Sequence, residues 1–126
     1  MNLIGLGIDV VEIDRISAAL ERHEEAFERK IFTSSEIEYC RRQKRPATHF
    51  AARFAAKEAI AKALGTGIGE QAAWTELEIQ RRESGEPHVV LSGAAKQKAT
   101  ELGVKEIKIS LTHAREYAAA NAVLMG

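Results

Sequence analysis

The chain reads as an α+β protein, a single domain in which helices pack on an antiparallel β-sheet. Three observations carry that reading. Residues 74–83 alternate, Leu77 and Ile79 apolar and Glu76 and Glu78 polar, as a half-buried strand requires. The turn Ser84-Gly85-Glu86-Pro87 then sends the chain back through 88–91, which makes a hairpin. Residues 47–64 form an alanine-rich helical stretch set among these strands, and hairpin-type connections with helices on one side define the α+β class.

The elements follow in order. Residues 3–13 are apolar and β-branched and read as a strand. Asp14 serves as N-cap for a helix over about 15–25, with Ile16, Ala19, Leu20 and His23 as its inner stripe. Thr33 followed by Glu36 fits a capping box opening a short helix, with Ile37 and Cys40 facing inward. Pro46 opens the long helix, where its missing N–H is tolerated; Phe50, Phe54, Ala61 and Leu64 share one face, and Gly65 ends it. Residues 93–102 form a helix closed by Gly103. Residues 107–113 and 117–125 are the last two strands, the first with Ile107, Ile109 and Leu111 on one face. No repeat, low-complexity tract or linker divides the 126 residues, so residues 1–126 are one domain.

Composition narrows the function. Lys+Arg and Asp+Glu both number 18, so global charge argues for neither nucleic acid nor a membrane surface. The charge is uneven: Arg41, Arg42, Lys44 and Arg45 crowd together, after Arg15, Arg22, Arg29 and Lys30. A charge run by itself is most often a solvated helix end, but a local basic surface also suits an acidic partner. One cysteine, Cys40, excludes an intramolecular disulfide and reads as a structural thiol. No apolar run approaches the roughly 20 residues that span a bilayer, and the N-terminus lacks the features of a signal peptide. A cytoplasmic protein is expected.

The chemistry concentrates in two segments. Glu58 and Lys62 stand at i and i+4, so an acid and a base share one helix face, which Ala51 and Ala55 continue. Small residues there would let a bulky partner or ligand approach the backbone. Asp9 interrupts the apolar run of the first strand. Each acid alone has a plain reading, Asp9 pointing at solvent and Glu58 pairing with Lys62 at the surface. Together they suggest a site for a divalent cation and a phosphate, because Mg²⁺ takes one or two carboxylates and completes its octahedron with waters and phosphate oxygens. Lys62 is the phosphate contact on that face, and Lys57 reads as a surface residue. The Gly65-Thr66-Gly67-Ile68-Gly69 turn follows a helix instead of preceding one, so it is no standard phosphate loop. Ser110-Leu111-Thr112-His113 ends a strand with hydroxyls on one side and an imidazole able to bind phosphate or move a proton. Neither a zinc signature nor a GxSxG elbow is present.

Four segments carry a resemblance over nearly the whole chain, in order: Gly7-Ile8-Asp9-Val10-Val11-Glu12-Ile13-Asp14-Arg15-Ile16, Phe54-Ala55-Ala56-Lys57-Glu58-Ala59, Gly65-Thr66-Gly67-Ile68-Gly69 and Ser110-Leu111-Thr112-His113. They resemble the bacterial holo-[acyl-carrier-protein] synthases of the 4′-phosphopantetheinyl transferase superfamily. The resemblance implies that family's fold. It also implies Mg²⁺-dependent transfer of the 4′-phosphopantetheine arm of coenzyme A to a serine of apo acyl carrier protein. Adenosine 3′,5′-bisphosphate is the other product, and the reaction serves fatty acid biosynthesis. Asp9 and Glu58 match the metal-binding acids and Lys62 the phosphate-contacting lysine, the three forming the catalytic set. Arg53, Gly65, Gly85, Pro87 and His113, with Lys62, match positions of the coenzyme A pocket. Arg15, with Arg22 and Arg45 as helpers, matches the docking site of the acidic carrier protein. A homotrimer with sites shared between neighbouring subunits is implied as well. The chain departs from many members in carrying Ala114 after His113 instead of a hydroxyl residue. In the chemistry so implied, Glu58 is the candidate base, and no nucleic acid or membrane is involved.

Two other classes fit less. A non-catalytic module binding a nucleotide or an acidic protein explains the basic cluster but leaves Asp9, Glu58 and Lys62 without a task. A helical scaffold protein explains none of the three.

Overall fold

The long helix is alanine-rich because a sheet lies directly on it. In the computed structural model, which describes residues 1–126, the chain runs β1 (Leu3–Glu12), α1 (Ile13–Ile31), α2 (Ser34–Arg41), α3 (Pro46–Leu64), a 3₁₀ turn (Trp74–Glu76), β2 (Leu77–Arg81), β3 (Pro87–Leu91), α4 (Gly93–Leu102), β4 (Glu106–His113) and β5 (Tyr117–Met125). Strands β1, β5 and β4 form one antiparallel sheet in that order, and β2 and β3 form the expected hairpin. The α+β layout of helices on antiparallel strands is as the sequence indicates. No helix is long and apolar enough to cross a membrane.

Helix α3 is covered nearly all round, so its burial follows no single stripe. Phe50, Ala55, Ala59, Ile60 and Ala61 are all fully buried. Ala51 and Ala55, expected to admit a ligand, instead lie within the apolar core. What approaches closely is β1: a Cβ on Gly5 or Gly7 would strike the carbonyl oxygens of Ala63 and Ala59. Positions 5, 7 and 9 share one face of the strand, so the two glycines that seat β1 on α3 also aim Asp9 at the helix. The opposite face of β1 carries Leu6, Ile8 and Val10, which are 65%, 70% and 64% exposed. Asp9 therefore does not point at solvent, and its apolar neighbours do.

Helix α1 is longer than the expected 15–25. It starts at Ile13 and resumes after a bend at Glu24 (φ 42°, ψ −125°), because Ile31 finds core contacts beyond the bend. Its N-cap is Glu12, without a side-chain cap bond, and Asp14 sits in the first turn, where a negative charge suits the helix dipole. Ile16 and Leu20 are buried as expected, but His23 is exposed. The Thr33–Glu36 capping box forms, and its acid does more than cap: Glu36 Oε1 accepts from the Thr33 N–H (2.8 Å) and Oε2 accepts from the Ile79 N–H of β2 (2.8 Å).

Lys57 is a correction. It is fully buried, not a surface side chain: Nζ donates to the Trp74 carbonyl (2.9 Å) and pairs with Glu36 at 2.8 Å. This pair joins α3, α2, β2 and the 3₁₀ turn in one polar knot. Burial lowers the Lys57 pKa from its ordinary value, against the opposing pull of Glu36. Burial likewise pushes the Cys40 thiol up to about 12, in keeping with a structural thiol. The strand expected from residue 74 begins at Leu77 instead. The Glu76 carboxylate folds back on the Ala73 N–H (3.0 Å) and receives the Ala94 N–H (2.8 Å), closing the 3₁₀ turn and capping α4. These backbone donors, Ala73 first, hold the Glu76 carboxyl below its ordinary pKa, against the opposing effect of burial.

Candidate metal and phosphate site

Because β1 rests on the small residues of α3, Asp9 meets the side chain of Lys62: Nζ donates to Asp9 Oδ1 (3.1 Å) and to the Ile8 carbonyl (3.0 Å). An ammonium carries three donors, so one remains for a ligand on a side chain that is half exposed. Glu58 lies one turn before Lys62 and shares a cleft of about 410 Å³ with Asp9 and Arg15, walled by Ile16, Phe27 and Phe54. Burial, then the Asp9 carboxylate, raise the Glu58 pKa above its ordinary value, and Lys62 only partly offsets them. Two carboxylates, the Lys62 ammonium and the Arg15 guanidinium thus meet around this cleft.

The two carboxylates define what fits. Two hard oxygen donors suit Mg²⁺, which fills its remaining positions with water and phosphate oxygens. Nowhere in the chain do three or more His, Cys, Asp or Glu side chains form a metal-binding group, so an all-protein cage of the calcium or zinc kind is absent. A site completed by substrate oxygens is the one these residues can build.

Arg53 and His113 lie elsewhere. They line a second cleft, of about 230 Å³, together with His49 and Arg81. The Arg53 guanidinium stacks 4.2 Å from the Tyr39 ring centroid and is 2% exposed. Arg81 donates to the Gly85 carbonyl (2.6 Å), which ties the β2–β3 turn bearing Gly85 and Pro87 to this cleft. Gly65 (φ 80°) caps the C-terminus of α3, beyond Lys62. Arg22 on α1 and Arg45 before α3 are exposed and line neither cleft. In the expected basic run, Arg41 is paired with Glu28 and Arg42 with Glu38 (2.5 Å), whereas the exposed Lys44 and Arg45 form no ion pair. The fold thus unites Asp9, Glu58, Lys62 and Arg15 in one place and Arg53 with His113 in another, and the two clefts share no lining residue. Sequence reasoning missed His49 and Arg81. His49 stands four residues before Arg53 on α3, so the helical repeat alone could have placed it on the same face.

The chain is similar to known proteins over nearly its whole length. The family model of the 4′-phosphopantetheinyl transferase superfamily matches residues 5–122. The holo-[acyl-carrier-protein] synthase of Ruminiclostridium cellulolyticum is 50% identical over 120 residues, covering 94% of this chain and 90% of that protein. The enzyme of the same name from Moorella thermoacetica is 46% identical over 122 residues, with 97% and 94% covered. Among solved structures, holo-[acyl-carrier-protein] synthase from Neisseria meningitidis superposes with a TM-score of 0.92 at 29% identity, covering 99% of this chain and all of that one. The Helicobacter pylori protein in complex with coenzyme A gives 0.85 at 30% identity, covering 95% and 99%.

Proposed function

The chain belongs to the 4′-phosphopantetheinyl transferase superfamily, and from that membership we propose how its two clefts act. The chain is a transferase that moves the 4′-phosphopantetheine arm of coenzyme A to a serine of an apo acyl carrier protein. The observation that carries the mechanism is the meeting of Asp9, Glu58 and Lys62 beside Arg15. Asp9 and Glu58 would hold Mg²⁺, which would supply positive charge to the pyrophosphate oxygens as charge builds on the leaving phosphate. Lys62 presents its remaining donor to the same oxygens. Glu58 takes the serine proton through a water. The serine oxygen bonds to the β-phosphorus, the bridge to the α-phosphate breaks, and adenosine 3′,5′-bisphosphate leaves. Arg15, with the apolar wall behind it, receives the acidic carrier protein, and Arg22 and Arg45 add to a salt-sensitive attraction. The product serves fatty acid biosynthesis.

We further propose a homotrimer with shared sites. Leu6, Ile8 and Val10 form an exposed apolar row beside Tyr117 of β5, which is 48% exposed, and such a row on a stable fold calls for a cover. The coenzyme-binding positions also divide between two clefts of one chain, so a neighbouring subunit is needed to present both to one ligand. Replacing Ile8 by Lys should yield a monomer by sedimentation equilibrium and lose most transfer activity. A native-sized assembly for Ile8→Lys would contradict the interface.

The activity itself is tested by intact-mass analysis of an apo carrier protein after incubation with this chain, coenzyme A and Mg²⁺. One added 4′-phosphopantetheine is expected, and none after chelation of the metal. An unchanged mass on a carrier that another transferase modifies would refute the reading.

A further inference from the structure

The second cleft is built for an anion, and two of its residues, His49 and Arg81, have no part in the mechanism above. His49, Arg53, Arg81 and His113 converge on it from α3, β2 and β4, and no acidic side chain lines it. None of the four forms an ion pair with a carboxylate. Arg53 is almost wholly buried, yet its Nε has no hydrogen-bond partner. Buried cationic donors without an anion are costly unless a ligand completes them. The His49 and His113 ring centroids stand 6.3 Å apart, a separation at which one phosphate can bridge two imidazoles. His49 also packs edge-on to Tyr39 (6.1 Å), which holds its ring toward the cleft.

We propose that His49 is a proton-coupled anchor for a phosphate group of the coenzyme, taking up a proton as that phosphate enters the cleft shared with Arg53, Arg81 and His113. The inference rests on the coenzyme A reading. The groups facing His49 are Arg53 on its own helix, Tyr39 on α2, Arg81 on β2 and His113 on β4. Burial, then Arg53, His113 and Arg81, all lower the His49 pKa and so favour the neutral imidazole. A dianionic phosphate reverses the sign of the local field and favours the imidazolium. Binding then consumes a proton, so affinity must fall as pH rises through the range between the free and bound values. Above pH about 7 the phosphate is already mostly dianionic, its second pKa being about 6, so that slope belongs to the protein.

The test is calorimetric titration of the native chain with adenosine 3′,5′-bisphosphate at pH about 7.5, in buffers of different ionisation enthalpy, beside His49→Phe, His49→Gln and His113→Asn. Proton uptake by the native chain is expected, with none in either His49 variant. Binding should weaken by about tenfold in both, the size of one charge-assisted hydrogen bond. Native affinity should decline between pH 7 and 8.5, while the His49 variants stay flat. Uptake that persists in both His49 variants, or that vanishes only in His113→Asn, overturns the role of His49 and leaves the coenzyme reading intact. No binding by the native chain overturns the coenzyme reading and this inference with it.

Discussion

Glu58→Gln and Asp9→Asn should each lower the rate of carrier-protein modification by about three orders of magnitude, within the range associated with losing a positioned base or a metal's charge stabilisation. Both substitutions keep side-chain volume. The Glu58 side chain makes no hydrogen bond or ion pair within the protein, so Glu58→Gln should retain native thermal stability. Asp9→Asn removes one partner of a pair whose lysine is half exposed, so its effect on stability stays below about 1 kcal/mol. A loss of rate without a loss of stability separates a chemical role from a structural one. Native rates in both variants would remove the metal assignment.

Lys57→Met should be the most destabilising single substitution in α3. It leaves the Glu36 carboxylate fully buried with two backbone N–H donors but no countercharge. Breaking a buried pair from one side costs about 3–5 kcal/mol. For a chain of this size that is a fall in Tm of more than about 10 °C. Replacing both partners, Lys57→Met with Glu36→Leu, should recover part of the loss, since no charge is then left buried, while Thr33 and Ile79 still lose their acceptor. Thermal denaturation followed by circular dichroism measures both. A Lys57→Met protein melting within about 2 °C of native would show that the knot contributes little.

What could be read from the sequence divides along physical lines. Glu58 and Lys62 were legible because helical geometry fixes an i, i+4 pair wherever the helix lies. The capping box, Pro46 at the helix start and Gly65 at its end were legible because each is a local backbone requirement. The contact of Asp9 with Lys62 was not fixed locally, since it depends on β1 resting on α3 while pairing with β5, where Leu3 pairs with Met125 across nearly the whole chain. The Gly5-x-Gly7 spacing was the available signal for that approach, two absent side chains on the face that carries Asp9. Lys57 was misread because an isolated lysine on a helix is usually at the surface. Its partner comes from α2, and only a helix buried all round could hide it. The cap of α4 was invisible for a related reason: the acceptor is Glu76, far along the chain, and not Ser92 beside it. The resemblance supplied the chemistry, and the structure supplied His49, which neither local pattern nor resemblance had marked.

The most direct measurement is Mn²⁺ binding by electron paramagnetic resonance, with Mn²⁺ standing in for Mg²⁺ in the presence of coenzyme A. One bound ion per chain is expected for the native protein, with its affinity sharply reduced in Asp9→Asn and again in Glu58→Gln. Undiminished Mn²⁺ binding in both variants would mean that these two carboxylates do not jointly hold the ion, and the account of the site would be wrong at its centre.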